Sequence, residues 1–244
     1  METLAIVIPT YNEKDNICNI ITTIGESITG LDMNVNVIVV DDNSPDKTAD
    51  ILENEIGKIE GKFKFLKINI IRREGKLGLG TAYIRGFKEA IKYNADYIME
   101  MDADFSHQPK YIKNFLIEVK NADLVIGSRY VKGGTVENWG IIRKIISKGG
   151  SLYARTILGL KIRDLTGGYN LYRKNVLEKI DLDGIKSNGY SFQIELKYRT
   201  YKKGFIIKEI PITFPDRTVG KSKMSKKIFL EALIMVFKMR KEVK

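Results

Sequence analysis

Short runs of apolar residues, each followed directly by polar groups, recur along the first half of the chain. They cover residues 4–8, 35–40, 97–101 and 124–126, and Asn36 and Glu100 are the polar residues within them. Runs of this length without polar alternation are typical of parallel strands that are covered on both faces. We therefore predict that these four segments are strands of a parallel sheet.

Segments with the periodicity of amphipathic helices separate these runs. They lie near residues 14–28, 46–56, 80–93 and 109–119. The alternation of strand and helix predicts an α/β fold, in which a Rossmann-like, mostly parallel sheet carries helices on both faces. No Pro-, Gly- or Ser-rich linker and no internal repeat interrupts the pattern, so we expect residues 1–244 to form a single domain.

The last third of the chain departs from this alternation. An amphipathic helix is predicted at residues 141–160, strands at 169–172 and 205–214, and helices at 191–201 and 222–240. The most apolar part of the last helix, residues 228–237, is only ten residues long and contains Glu231. A transmembrane helix needs about 20 apolar residues, so we expect no transmembrane segment.

Polar residues are concentrated where the predicted strands end. The sequences there are Pro-Thr-Tyr-Asn-Glu, Asp-Asp-Asn-Ser, Asp-Ala-Asp and Gly-Ser-Arg. In open α/β sheets, ligands bind beyond the carboxyl ends of the strands. Because carboxylates, hydroxyls and a guanidinium gather at one edge in this way, we predict a ligand site at that edge.

Asp102 and Asp104 follow the third apolar run and are the main candidates for metal binding. Residues two apart on a strand point the same way, so both carboxylates are expected to face one site. Mg²⁺ and Mn²⁺ suit such oxygen ligands and bridge them to diphosphates. Two solvated acids at a loop start are the alternative, but the acidic ends of neighbouring strands favour the metal. His107 is a weaker candidate, because a lone histidine is more often structural.

Three further segments fit a nucleotide, each with a simpler alternative. The ring of Tyr11 can stack on a nucleobase, and Glu13 can accept hydrogen bonds from it, although helix capping also explains an acid there. Asp41 and Asp42 can accept from ribose hydroxyls or begin a turn. The glycine-rich segment 77–82 precedes a helix but lacks the full pattern of a dinucleotide or P-loop motif.

The chain carries a formal net charge of +11, much of it in residues 202–244. An excess of positive charge of this size favours binding to nucleic acid, to an anionic membrane surface or to phosphorylated substrates. No nucleic-acid-binding module is recognisable, so we expect the membrane and phosphates rather than nucleic acid. Arginine binds phosphate through two parallel hydrogen bonds, and lysine binds it as a point charge. The candidate phosphate ligands are therefore Arg129, Arg143, Arg217 and Lys223. Ion pairs on the protein surface are the alternative for each of them.

The single cysteine and the start of the chain bear on the cellular compartment. Cys18 alone excludes an internal disulfide and a multi-cysteine metal site. The first residues lead directly into an apolar strand without the pattern of a signal peptide, so we expect a cytoplasmic location.

Motifs spread over residues 4–235 resemble the family 2 glycosyltransferases of the GT-A fold. They lie at residues 8–13 (Ile-Pro-Thr-Tyr-Asn-Glu), 40–45 (Val-Asp-Asp-Asn-Ser-Pro), 76–83, 102–107 (Asp-Ala-Asp-Phe-Ser-His), 127–130, 143–147, 164–168 (Asp-Leu-Thr-Gly-Gly), 171–173, 214–217 and 220–223. The motifs of the second half are similar to those of a narrower group, the dolichol-phosphate mannose synthases. This resemblance implies an inverting, metal-dependent transferase that moves mannose from GDP-mannose to dolichyl or another polyprenyl phosphate.

The resemblance also implies roles for individual residues. The nucleotide sugar is expected at Pro9, Tyr11, Glu13, Val40, Asp42, Asp102, Ala103, Asp104, Arg217 and Lys223. The acceptor phosphate is expected at Arg129, Arg143 and Ser147, and Mg²⁺ or Mn²⁺ at Asp102 and Asp104. Asp104, Arg129 and Arg143 are the expected catalytic residues. Some relatives have glutamine, a further metal ligand, where this chain has Ser106, which puts metal binding by Ser106 or His107 in doubt.

The same resemblance places the protein at the cytoplasmic face of a membrane, bound peripherally or held by a small membrane-anchoring subunit. Amphipathic helices near residues 139–160 and 222–240 are the expected membrane contacts, with ordinary core helices as the alternative.

Three other functions stay open on sequence alone. They are a polyprenyl-phosphate transferase that takes glucose or N-acetylglucosamine from UDP, a soluble transferase that acts on a glycan or protein hydroxyl, and a binding module without catalysis.

Overall fold

A seven-stranded sheet lies at the centre of the computed structural model, which describes residues 1–215 and 226–243. The strands in chain order are β1 (Glu2–Thr10), β2 (Met33–Asp41), β3 (Leu66–Arg72), β4 (Tyr97–Glu100), β5 (Leu124–Ser128), β6 (Thr135–Val136), β7 (Asn170–Arg173), β8 (Ile207–Pro211) and β9 (Thr213–Phe214). The helices are α1 (Ile17–Ile28), α2 (Thr48–Lys62), α3 (Leu79–Lys92), α4 (Ile112–Glu118), α5 (Ile141–Leu158), α6 (Lys174–Lys179), α7 (Tyr190–Lys202) and α8 (Lys226–Glu242). Short 3₁₀ turns, Pro109–Tyr111 and Val119–Asn121, flank α4.

The strand order in the sheet is β3-β2-β1-β4-β7-β5-β8. Every neighbouring pair is parallel except those that involve β7, which runs antiparallel to both β4 and β5. A second, two-stranded sheet pairs β6 with β9 in parallel. The predicted α/β class with a mostly parallel sheet is therefore confirmed.

The two faces of the sheet carry separate apolar cores. Successive residues of β1 show the division, since Ile6 and Ile8 belong to one core and Val7 to the other. On the second face α3 lies close to the sheet at Gly86, where a Cβ atom would stand 2.2 Å from a methyl group of Val7. The absence of a side chain at residue 86 therefore brings α3, and with it Tyr83, close to the carboxyl end of β4.

Most predicted elements are present, and the differences have simple causes. The edge strand β3 was not predicted, because Lys67 and Asn69 interrupt its apolar residues. Residues 205–214 form two strands rather than one, with a break at Ile212, where the chain passes from the central sheet to the small one. The start of the predicted helix 222–240 lies outside the described residues, and α8 begins at Lys226.

The helices of the described residues include none with both the length and the apolar character that a bilayer crossing requires. Two of them nevertheless present apolar side chains to solvent. On α5, residues Ile141, Ile142 and Ile145 are 76%, 75% and 65% exposed. On α8, which packs on α5, Ile234 and Phe237 are also largely exposed.

Candidate active site

The carboxyl ends of β1, β2, β4 and β5 meet at one edge of the sheet, as the sequence predicted. Thr10 at the end of β1 is in register with Asp41 at the end of β2. On the other side of β1, the chain leaves β4 where the amide of Met101 donates to the carbonyl of Val7. The predicted site residues of both halves of the chain surround this edge.

Asp41 has a structural role in the turn that follows β2. Its carboxylate is buried and accepts hydrogen bonds from the hydroxyls of Thr10 (2.9 Å) and Ser44 (2.6 Å) and from the amide of Ser44 (2.9 Å). The hydroxyl of Ser44 in turn accepts from the amide of Asn12. These contacts join the loop after β1 to the loop after β2, so the turn alternative is correct for Asp41.

Asp42 forms a buried ion pair with Arg73, which the sequence did not identify. Both Nε and Nη2 of Arg73 lie 2.6 Å from Oδ1 of Asp42, and the two side chains are 9% and 8% exposed. Nη1 donates to the hydroxyl of Thr81 and Nη2 to the carbonyl of Gly78. Arg73 thereby ties the glycine-rich segment to the loop after β2. The only sequence signal for it is a pair of arginines, Arg72 and Arg73, after Ile70 and Ile71, and the pair does not show which of the two turns inward.

Gly78 requires its glycine for two reasons. Its φ of +104° is a conformation that residues with side chains rarely adopt, and a Cβ would stand 2.4 Å from the side chain of Asn188. The helix α3 begins at the next residue. The segment is thus a tight helix start that packs against the loop before α7.

The remaining residues of the expected nucleotide site lie around the loop after β1. The ammonium of Lys76 sits 4.2 Å above the ring centre of Tyr11, so a base that stacks on that ring face must displace it. Glu13 accepts from the side-chain amide of Asn16 at 2.9 Å and lies just before α1. Pro9 and Val40 are in register on adjacent strands, and the side chain of Val40 is buried in the core. Any contact of Val40 with a ligand is therefore made by its backbone.

A loop, rather than a strand, orients Asp102 and Asp104. Because β4 ends at Glu100, the two aspartates do not lie on a strand, and the expectation that strand geometry points both carboxylates the same way is wrong. Oδ1 of Asp102 accepts from the Tyr83 hydroxyl at 2.9 Å. Oδ1 of Asp104 accepts from the hydroxyl (2.6 Å) and the amide (3.1 Å) of Ser106.

Tyr83 is a fixed donor to the Asp102 carboxylate. Its ring is fully buried between Phe87 and Phe192. Burial, together with the neighbouring carboxylates, raises the pKa of Tyr83 far above its ordinary value. The phenol therefore keeps its proton and orients the carboxylate. Ala103, between the two aspartates, is buried in the opposite core and offers a ligand only its backbone.

His107 supports the loop from behind. Its Nδ1 accepts the amide hydrogen of Asp102 at 2.9 Å, which leaves that nitrogen without a lone pair for a metal. The ring stacks on Tyr169 at 4.8 Å and meets the edge of Phe214 at 5.6 Å. These contacts give His107 a structural role, as the alternative for a lone histidine expected, while its Nε2 lies 3.9 Å from Oδ2 of Asp102.

The donor set of the loop fits a divalent cation that shares its coordination with a ligand. Within residues 1–215 and 226–243, no group of three or more His, Cys, Asp or Glu side chains could hold a metal alone. Asp102 and Asp104 instead supply hard oxygen atoms from one loop. Mg²⁺ and Mn²⁺ are commonly held by one or two carboxylates together with substrate phosphates and water. The residues present therefore suit a metal that binds with a diphosphate.

Arg129 is held by a buried carboxylate on the other side of the site. Its Nε and Nη2 lie 2.7 Å from the two oxygens of Asp164, and Nη2 also donates to Thr166 at 2.9 Å. Burial acts to raise the pKa of Asp164, but the charge and hydrogen bonds of Arg129 together with the charge of Lys197 outweigh it and hold that pKa below its ordinary value. Arg129 is thus part of a rigid ion pair as well as a predicted phosphate ligand.

Trp139 joins the residues that the resemblance assigns to the acceptor phosphate. The guanidinium carbon of Arg143 lies 3.9 Å from the centre of the Trp139 ring, and that of Arg129 lies 5.5 Å from it. Tyr130, next to Arg129, donates its hydroxyl to Ser147 at 2.6 Å. The structure therefore brings all three predicted residues into one cluster, although residues 129 and 143 belong to different elements.

Arg217 and Lys223, expected to bind the donor diphosphate, lie outside the described residues. Their place relative to the other site residues stays a prediction.

A fully buried polar network lies behind the loop and was not predicted. Glu100 accepts from Asn170 and from Gln193, and Lys197 donates to the carbonyls of Leu165 and Gly167. Burial raises the pKa of Glu100 to about 7 and lowers the pKa of Lys197 to about 8. The network stands behind both Asp102 and the ion pair of Arg129, so it supports both sides of the site.

Comparisons with known proteins agree with this arrangement. Residues 5–181 match glycosyl transferase family 2. The chain is 44% identical over 230 residues to an undecaprenyl-phosphate mannosyltransferase of Micrococcus luteus, a match that covers 94% of this chain and 90% of that protein. It is 42% identical over 232 residues to a polyprenol monophosphomannose synthase of Mycolicibacterium smegmatis, covering 95% of this chain and 84% of the other.

Solved structures add the fold. Glucosyl-3-phosphoglycerate synthase of Mycobacterium tuberculosis, in complex with Mn²⁺, UDP-glucose and phosphoglyceric acid, superposes with a TM-score of 0.69 at 16% identity. The match covers 98% of this chain and 80% of that one. At this identity the likeness shows a common fold of the GT-A type. The family match and the two relatives show more, and the chain belongs to the family 2 glycosyltransferases.

Proposed function

We propose that this glycosyltransferase moves mannose from GDP-mannose to dolichyl or another polyprenyl phosphate, with inversion at the anomeric carbon. The observation that carries the proposal is one cluster, in which Arg129 and Arg143 lie over the Trp139 ring and Ser147 accepts from the neighbouring Tyr130. It lies at the edge of the sheet where Asp102 and Asp104 also lie. The two relatives above 40% identity, whose names specify transfer of mannose to polyprenyl carriers, support it.

The donor is proposed to bind between the loops after β1, β2 and β4. Tyr11, Glu13 and Asp42 are the proposed contacts for the guanosine, and backbone groups of Pro9, Val40 and Ala103 line the same path. Arg217 and Lys223 are proposed to bind the diphosphate. Asp102 and Asp104 would hold Mg²⁺ or Mn²⁺, which neutralises charge on the departing diphosphate when bound.

The chemistry of the acceptor explains why the site needs no strong base. A phosphate monoester has its second pKa at about 6, so it is largely a dianion near neutral pH. An oxygen of this dianion attacks the anomeric carbon of mannose, and the bond from that carbon to the diphosphate oxygen breaks as GDP leaves. Arg129 and Arg143 position the acceptor, and Asp104 holds the donor end of the site. A sugar hydroxyl as nucleophile would instead require a general base.

The faces of α5 suit an acceptor that enters from a membrane. Arg143 and Ser147, one turn apart, face Trp139 and Tyr130. Ile141, Ile142, Ile145 and Leu152 are exposed, with Lys144 and Lys148 also exposed beside them. Such a combination is typical of helices that lie in the bilayer interface.

We further propose that the protein is a single catalytic domain, bound peripherally at a cytoplasmic membrane face through α5 and α8. A small anchoring subunit is a compatible further partner.

The test is transfer of labelled mannose from GDP-mannose to a polyprenyl phosphate in detergent, with Mg²⁺ or Mn²⁺ and with EDTA. We expect metal-dependent labelling of the lipid that Asp104→Ala lowers at least a hundredfold, the order of loss seen when one group that stabilises the transition state is removed. Asp32→Asn, a change at an exposed aspartate, is the matched control.

Other outcomes separate the alternatives. Transfer from UDP-glucose or UDP-N-acetylglucosamine, but not from GDP-mannose, would correct the sugar and keep the acceptor. Labelling of a glycan or protein hydroxyl, indifferent to lipid, would contradict the acceptor assignment. Tight GDP binding without transfer from any donor would point to a binding module or to a missing subunit.

A further inference from the structure

Trp139 carries a buried polar atom that no hydrogen bond satisfies within the described part of the chain. The residue is 7% exposed, and its Nε1 has no hydrogen-bond partner among the residues that the structure describes. Most buried donors in proteins are satisfied, because a donor removed from water without a partner destabilises the folded state. An unpartnered indole N–H beside a proposed ligand site therefore indicates a partner that arrives with the ligand.

The surroundings of Trp139 restrict what that partner is. The indole N–H only donates hydrogen bonds, so its partner is an acceptor. The guanidinium carbon of Arg143 lies 3.9 Å from the centre of the ring, and that of Arg129 lies 5.5 Å from it, so two guanidinium groups lie beside the indole. Phe214 meets the ring edge-on at 5.6 Å and closes another side. An acceptor between two guanidinium groups is most favourable when it is an anion, and phosphate oxygens are strong acceptors.

The ring of Trp139 also has a role through Arg143. A guanidinium that stacks on an indole face is attracted by the ring quadrupole, and tryptophan is the strongest partner for such contacts. Arg143 is in the first turn of α5, and its side chain is only partly buried. The stacking contact therefore limits the positions that the guanidinium can take.

We propose that Trp139 binds the phosphate of the polyprenyl phosphate acceptor, with its indole N–H donating to a phosphate oxygen while its ring holds Arg143 toward the same phosphate. This inference rests on the proposed function and adds a third type of donor to the two arginines and Ser147. Trp139 then raises the affinity for the polyprenyl phosphate acceptor and does not contribute to binding of the GDP-mannose donor.

The chain offers a direct reporter, because Trp139 is its only tryptophan. We expect the indole fluorescence of the full-length protein to change saturably when a short-chain prenyl phosphate is added without donor. The half-maximal concentration should agree with the KM of the same acceptor where chemistry is slow relative to dissociation of the acceptor. The corresponding prenol, which lacks the phosphate, should leave the fluorescence unchanged. A protein that transfers mannose to the prenyl phosphate while its fluorescence stays constant through saturation would overturn the inference.

Two substitutions separate the N–H from the ring. Trp139→Phe keeps an aromatic face for Arg143 but removes the donor, so we expect the acceptor KM to rise roughly tenfold, as for the loss of one hydrogen bond to a charged group. The KM for GDP-mannose should stay within about twofold of the wild-type value. Trp139→Leu removes the ring as well and should lower kcat in addition. Tyr201→Phe, at a largely exposed ring, is the control.

The results distinguish this inference from the proposed function. Wild-type acceptor affinity in Trp139→Phe, with mannose transfer intact, would refute the inference and leave the function standing. An equal rise of both KM values would show a general structural role and also refute it. If Trp139→Phe fails to fold, the fluorescence titration of the wild-type protein still decides the question. If the wild-type protein transfers mannose to no prenyl phosphate in any of these preparations, the proposed function fails and the inference fails with it.

Discussion

Two neighbouring arginines at the end of β3 illustrate how differently the same side chain acts by position. Arg73 turns inward and pairs with Asp42 in a nearly dry environment, whereas Arg72 is 47% exposed and pairs with Asp50 and Glu53 on the surface. A buried charge that loses its partner is strongly unfavourable, while an exposed ion pair contributes little. The identity of the residue alone does not reveal which of the two matters.

Replacement of Arg73 tests this difference. We expect Arg73→Met to lower the free energy of unfolding by about 3–5 kcal/mol, because Asp42 is left charged and buried without its partner. Arg72→Met, the adjacent control, should cost less than about 1 kcal/mol. Urea denaturation of the three proteins gives both values. Equal and small losses would mean that Asp42 is solvated and would weaken its proposed role as a fixed acceptor for the donor nucleotide.

At the scale of elements, sequence patterns were informative where burial was uniform. The strands β1 and β5 and the second half of β2, residues 37–40, are continuously apolar and were predicted. In β3, by contrast, Lys67 and Asn69 alternate with apolar residues at the sheet edge, and the strand was missed because no continuous apolar run marks it. The pattern also could not reveal the direction of β7, because a short buried strand has the same composition whether it runs parallel or antiparallel.

The site was predictable in part for the same reason. The acidic strand ends could be located, since the carboxyl ends of parallel strands meet at one edge. The hydrogen-bond and ion-pair partners of the site residues could not be predicted from the sequence. Gln193 lies 93 residues from Glu100, and Asp164 lies 35 residues from Arg129. Pairings at such separations depend on packing between elements, which no local pattern encodes.

The helix α5 combines two tasks on opposite faces, and its exposed face can be tested separately. We expect the double substitution of Ile142 and Ile145 by Glu to weaken binding to vesicles with anionic lipids by at least roughly tenfold, since two apolar side chains would no longer enter the interface. Sedimentation with vesicles gives the bound fraction. Ile117→Glu is the control, because Ile117 is 64% exposed on α4.

Activity on a short, water-soluble prenyl phosphate completes the α5 experiment. It should be unchanged in the double variant, because Arg143 and Ser147 face the site rather than the proposed membrane. Vesicle binding by the double variant at the wild-type level would assign membrane contact to another surface. Loss of activity on the soluble acceptor would show that the substitutions disturb the site itself.

For the whole molecule, the buried charges behind the site make stability depend on pH. Lys197 faces Asp164, Glu100, Glu209 and Arg129, yet burial still lowers its pKa to about 8. An unfolded chain would hold the same proton up to a pKa of about 10.4. Between these values the unfolded chain binds more protons than the folded one, so the contribution of Lys197 to stability rises with pH.

Lys197→Met removes this dependence. We expect the difference in unfolding free energy, wild type minus variant, to increase from pH 7.5 to pH 10, because only the wild type loses a buried charge over that range. Denaturant titrations at several pH values measure it. A difference that stays flat or falls would mean that Lys197 remains charged in the folded protein throughout.

The position of β7 between β4 and β5 also affects how the protein is made. β4 obtains its first neighbour, β1, from residues that precede it, but its second neighbour is synthesised much later, since Asn170 lies 70 residues after Glu100. At about 5–20 residues per second, a ribosome needs several seconds to cover that distance. During this time the strand that leads into the loop of Asp102 and Asp104 has one open edge. Nascent chains of this protein should therefore depend on chaperones most while residues 101–169 emerge, before the returning strand closes the sheet.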